Sequence, residues 1–130
     1  MDELWILDDF GQALSRLEDA LAMSPENDLV KAGCIQYFEF CFELAWKSVK
    51  IVSSLLALPD CLSPKACLKL AFAQGWIGDE QGWLEMLDAR NRMSHTYDAK
   101  EALKIYDGLV SYLPEFRKLL SSLREISESE

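Results

Sequence analysis

The residues Arg90-Asn91-Arg92-Met93-Ser94-His95-Thr96-Tyr97 concentrate the side chains of this chain that can do chemistry. If they continue a helix, Leu84, Asp88, Asn91 and His95 form one row with steps of four, three and four. Arg90 then falls on the adjoining row, beside Trp83, Leu87 and Ser94. A guanidinium, an amide and an imidazole share one rim. Arginine is a planar, permanently charged donor fork suited to phosphate, and histidine can give or take a proton near neutral pH. Together they suit phosphoryl chemistry without a metal. A ribose 2′-hydroxyl attacks the neighbouring phosphate, a general base takes its proton, a general acid protonates the leaving oxygen, and Arg90 stabilises the charge of the transition state.

That scheme calls for two proton-transfer groups, and His95 is the only histidine in the chain. A twofold dimer supplies the second, because a site on the axis receives both copies of Arg90 and His95. Metal chemistry has less support. The four cysteines, at 34, 41, 61 and 67, contain no CxxC pair, so the expectation is free, mostly buried thiols in a reducing compartment, with neither a metal site nor a cofactor.

Each of these residues also has a plainer role. A histidine in the last turn of a helix commonly complements the helix dipole, and Arg90 commonly would pair on the surface, here with Asp88 or Glu85. Glu39, Glu43, Lys47 and Arg92 are candidates to line a site. The first three read first as a solvated helix stripe, in which Glu43 and Lys47 have the favourable i,i+4 orientation. Trp46, Trp76 and Trp83 read as core or interface anchors before base-stacking groups. Tyr97 can simply hold a turn.

The elements that must position these residues are helical. Leu7, Phe10, Leu14, Leu17 and Leu21 step by three or four until Ser24-Pro25-Glu26-Asn27, which predicts a first amphipathic helix over residues 2 to 23. A second starts near Asp28 and runs toward Pro59. It carries two apolar rows, Phe38, Phe42, Ala45, Val49, Val52, Leu56 and Tyr37, Cys41, Leu44, Ser48, Ile51, Leu55, a face wide enough for more than one neighbour. Ser63-Pro64 opens a third helix that Gly75 closes, and Asp79 caps a fourth that runs into the Arg90 segment. Asp98 and Glu101 form a capping-box variant for a last helix through Leu103, Tyr106, Leu109 and Leu113, kinked at Pro114. The acidic end, residues 125 to 130, is expected to fray. These features predict one all-α domain over 1–130, an antiparallel up-and-down bundle of four to five helices that forms a homodimer.

Half of the 130 residues are hydrophobic and 27% are charged, which is the composition of one globular domain. A formal charge of −9 opposes broad attraction to phosphate backbones, so any nucleic-acid role needs a local basic site. The longest nearly uncharged apolar stretch, IVSSLLALP from Ile51, falls short of the ~20 residues of a membrane helix, and the acidic MDE start is no signal peptide. The expectation is a cytoplasmic protein without a membrane role.

Five blocks carry a resemblance. YFEFCFELAWK at 37–47, SPK at 63–65, AFAQGWIGD at 71–79, WLEMLDARN at 83–91 and SHTYD at 94–98 resemble successive landmarks of the HEPN superfamily, in its nucleotidyltransferase substrate-binding-protein branch. Arg90, NRMS, His95, Thr96 and Tyr97 match the RX4HXY signature of HEPN toxins at every defining position. The resemblance implies a homodimeric helical bundle paired with a minimal nucleotidyltransferase encoded nearby. It also implies a metal-independent ribonuclease whose Arg90, His95 and the polar Asn91 act across the dimer, and a partner that silences it by transferring AMP to Tyr97. This chain lacks a nucleotidyltransferase signature of its own, so the transferase acts in trans. The other role associated with this branch is a non-catalytic subunit that binds a substrate, RNA or nucleotide, for the partner. A purely structural dimerisation module is the third reading.

Overall fold

The computed structural model describes residues 5–95 and 99–129, without the side chains of Ser94 and His95. The apolar spacing of the first segment becomes α1, Trp5–Leu21, which buries Ile6, Leu7, Phe10, Leu14 and Leu17 on one face. After it come α2 (Asp28–Leu55), α3 (Pro64–Ala73), α4 (Glu80–His95), α5 (Ala99–Leu103), a 3₁₀ segment (Lys104–Gly108) and α6 (Leu109–Ser129). Among the described residues there is no strand. The fold is the all-helical up-and-down bundle expected. No helix among them is long and apolar enough to cross a membrane.

Polar side chains set the starts of α2 and α3. Asn27 accepts from the Val30 N–H at 3.1 Å and Ser63 from the Ala66 N–H at 3.1 Å, each satisfying a donor that the first turn leaves unpaired. The two apolar rows of α2 are used from several sides, because α1, α3, α5, the 3₁₀ segment and α6 all pack on it. Phe116 of α6 is the centre of the core. Its ring lies 6.3 Å from Phe10, 6.2 Å from Phe38 and, edge-on, 5.3 Å from Trp83, so one residue of α6 ties together α1, α2 and α4.

Three expectations are corrected. First, α2 stops at Leu55 rather than running toward Pro59. Ala57 turns left-handed (φ 59°), and the N–H groups of Ala57 and Leu58 return to the carbonyls of Ser54 and Ser53, each at 3.0 Å. This is the helix end that glycine usually makes, written here with alanine. At the end of α3 the same bonds form around Gly75, with φ 78°.

Second, the last helix is broken: α5, a 3₁₀ segment and α6 replace one continuous element. The Asp107-Gly108 pair is poor helix material. Tyr106 is held there beneath the Lys31 ammonium, 5.5 Å from its ring centre. Pro114 lies inside α6 with helix on either side, and α6 carries helix through Ser129. Asp98, the expected cap, and residues 2–4 of the first segment lie outside the described residues.

Third, Cys61 and Cys67 are joined in a disulfide with Cα atoms 5.0 Å apart, where the spacing predicts four free thiols. The loop after α2 folds back onto the first turn of α3, and Lys50 Nζ fixes it by donating to the Cys61 carbonyl at 2.8 Å. Cys34 and Cys41 remain free and buried. Burial, with Glu18 adding, pushes the Cys41 thiol far above its ordinary range, so it is inert near neutral pH.

The paired helix ends make opposite predictions. Ala57→Gly relieves a left-handed alanine and stabilises the protein by about 0.5–1 kcal/mol, whereas Gly75→Ala destabilises it by about 1 kcal/mol. Urea denaturation of the two variants beside the parent checks both signs.

Candidate functional site at the end of helix α4

The start of α4 is set by Asp79, whose Oδ1 accepts the Gly82 N–H at 2.9 Å. Trp83 then anchors the helix, fully buried between Phe116 and the ring of Phe42, whose centre is 6.3 Å away. Seven residues on, two helical turns, Arg90 returns to the same face and meets α2. Its Nη2 donates to Glu43 Oε1, with both side chains about 30% exposed. Its Nη1 donates to Asn91 Oδ1 at 3.2 Å. The plainer expectation of a surface pair with Asp88 or Glu85 is corrected, since the partner comes from another helix. Asp88 is taken by Arg92, 3.1 Å away on the exposed side.

Glu43 is surrounded by donors. Besides Arg90, its other oxygen accepts from Trp46 Nε1 at 3.3 Å and lies 3.6 Å from Lys47 Nζ, the i,i+4 contact expected. The ammonium of Lys47 also sits 5.9 Å from the centre of the Trp46 ring. Glu39, one turn earlier on the same face of α2, is half-buried. Burial pushes its carboxyl above the ordinary value, Arg90 opposes that, and Glu43 adds to it. The row Glu39, Glu43, Lys47, expected as a solvated stripe, is thus partly drawn inside around the arginine.

The structure therefore brings together Arg90, Asn91, Glu39, Glu43 and Lys47. It does not bring Arg92, which pairs with Asp88 on the exposed side of α4 instead. The side chain of His95 and the whole of Tyr97 lie outside the described residues. The donor that sequence reasoning misses is Trp46. Its signal is present there, because a glutamate flanked by two buried rows needs satisfied oxygens.

An arginine has five N–H donors, and here Glu43 and Asn91 engage two of them. Among the described residues the rest have no hydrogen-bond partner and are left for an anionic group. Beside the arginine, Asp28, Ala32, Ile35 and Glu39 of α2, Met93 of α4 and Ala99, Ala102 and Leu103 of α5 line a groove of about 390 Å³.

Comparison with known proteins decides the family. Residues 6–125 match the family described as nucleotidyltransferase substrate binding protein like. The chain belongs to this family. As a nucleotidyltransferase substrate-binding-protein-like chain it is the HEPN branch that its sequence blocks resemble. It is 36% identical over 102 residues to the probable ribonuclease HepT of Haemophilus influenzae, covering 75% of this chain and 70% of that one. A solved Haemophilus influenzae structure, described as revealing the fold of a substrate binding domain of a nucleotidyltransferase, is 32% identical with a TM-score of 0.77 and covers 91% of this chain and 98% of its own. A crystal structure from Thermus thermophilus is 27% identical with a TM-score of 0.80, covering 88% of this chain and 98% of its own.

The raised Glu39 carboxyl makes a pH prediction. A carboxyl that ionises at higher pH when folded than when unfolded costs stability above its folded value, and nothing below its ordinary value of 4.5. Glu39→Gln therefore raises the melting temperature at neutral pH, and the gain disappears once pH falls below that ordinary value, as thermal scans across the acidic range will record.

Proposed function

We propose that this protein is a metal-independent endoribonuclease of the HEPN type, the toxin of a cytoplasmic pair whose other member is a minimal nucleotidyltransferase. The observation that carries the reading is Arg90. It is held at the end of α4 by Glu43, with donors unengaged among the described residues, in a chain 36% identical to a probable ribonuclease.

In this reading two copies meet about a twofold axis and present two Arg90 and two His95 to one phosphodiester. One His95 takes the proton of the 2′-hydroxyl as its oxygen attacks phosphorus. The other gives a proton to the departing 5′-oxygen. The products are a 2′,3′-cyclic phosphate and a 5′-hydroxyl end. Arg90 carries the charge of the transition state, and Asn91, bonded to it, orients it. Glu43 keeps the guanidinium from folding into solvent. Lys47 and Arg92 are more exposed and serve the approach of RNA.

Control is proposed at Tyr97. Its phenolate oxygen attacks the α-phosphorus of ATP in the partner's active site, pyrophosphate leaves, and the AMP now attached brings a phosphate that competes for Arg90. A second reading is favoured by the groove beside Arg90 and by the solved relative described as a substrate binding domain. In it, the protein binds nucleotide or RNA for the nucleotidyltransferase without turning it over.

The test is cleavage of RNA in EDTA by pure protein shown by sedimentation to be dimeric. Arg90→Ala and His95→Ala each lose activity by at least about a hundredfold while remaining folded. Activity that survives in His95→Ala, or a monomer that cleaves, refutes the composite site, and binding with no cleavage at all favours the second reading. A separate prediction concerns control: with a minimal nucleotidyltransferase, magnesium and ATP, intact mass rises by AMP units in the parent and not in Tyr97→Phe.

A further inference from the structure

The groove beside Arg90 has a chemistry of its own. Asp28, Ala32, Ile35, Glu39 and Glu43 follow one another on α2 at steps of four, three, four and four, so they form one continuous stripe. The first four line the groove, and the last holds Arg90. On α4 the same order appears in reverse, with Met93 lining the groove one turn beyond Arg90. Apolar walls from Ala32, Ile35, Met93, Ala102 and Leu103 therefore lead to a carboxylate, Glu39, and immediately past it to a guanidinium. At about 390 Å³ the space lies within the ~300–1,000 Å³ of small-molecule sites, which are mostly apolar with a few placed polar groups.

Such a slot selects its occupant. Glu39 and Asp28 repel phosphate along the groove, whereas Arg90, past Glu39, attracts it. The walls favour a flat apolar body, against which the Met93 thioether packs well. Glu39 accepts hydrogen bonds and, ionised, donates none. A nucleobase whose edge carries N–H donors and whose own phosphate reaches Arg90 meets all three demands. Guanine meets them best, since its N1–H and N2–H lie side by side and engage both oxygens of one carboxylate, whereas adenine and cytosine offer a single amine with an acceptor beside it. We propose that the groove between α2, α4 and α5 is a guanine subsite in which Glu39 reads the base of the nucleotide whose phosphate lies on Arg90. The base contact stands apart from the chemistry, although its phosphate contact rests on the nucleic-acid reading above.

The experiment titrates GMP, AMP and CMP into the full-length protein at a pH above neutrality, following Met93 by methyl NMR and affinity by calorimetry. GMP binds at least about tenfold tighter than AMP or CMP. Glu39→Gln removes that preference in a protein that melts no lower than the parent, and Ala32→Trp, which fills the groove, weakens all three nucleotides. Equal binding of the three, a preference for AMP, or a GMP preference that survives in Glu39→Gln overturns the subsite. GMP binding that depends on Glu39 in a protein that leaves RNA intact upholds the subsite and refutes the nuclease. RNA cleavage that is indifferent to base and unchanged by Glu39→Gln does the reverse.

Discussion

A carboxylate placed between two buried rows of a helix is the constraint on which the rest of the site depends. Glu43 lies on α2 next to Phe42, which is fully buried, and its own side chain is only about 30% exposed. A partly buried carboxylate is best satisfied when cations and donors surround it. Trp46 and Lys47 supply two contacts from α2 itself, and the third has to come from another helix. Trp83, locked against Phe42 and Phe116, sets the rotation and height of α4 so that Arg90 arrives there. The aromatic core thus positions the cation, and the cation makes the carboxylate acceptable. Core packing and site geometry are one problem in this protein.

The same arrangement explains how a chain with a formal charge of −9 can present an anion site. Charge here is a local matter. Glu43 and Asn91 hold Arg90 on one side, while Lys47 adds a further positive group nearby. Attraction for phosphate then acts over a few ångströms and comes with geometry, whereas a broad basic face would draw polyanions without selection.

Much of this is legible from the residues. The periodicity of α1, the Ser63 and Asp79 starts, the wide face of α2 and the pairing of Glu43 with Lys47 are local matters, decided within one or two turns. What escapes is non-local or depends on backbone detail. Spacing assigns Arg90 to neighbours in its own helix because sequence offers only those, whereas Glu43 is 47 positions away. The end of α2 reads too late because Ala57 does the work of a glycine. The disulfide stays hidden because cysteines six apart meet only when a loop doubles back. The break before α6 is masked by apolar residues that keep helical spacing across Asp107-Gly108.

That break has a consequence for motion. Neither α5 nor the 3₁₀ segment contains a fully buried residue, while the helices beside them are sewn into the core through Phe38, Trp83 and Phe116. A short element held only by partly buried residues such as Leu103, Ile105 and Tyr106 opens for less free energy than the fully buried helices beside it. Since α5 forms one wall of the groove beside Arg90, that wall can open and reclose while the opposite one stays fixed. Its amides would exchange with solvent on a faster clock than those of α2, and a bulky guest could be admitted without loosening the guanidinium that awaits it.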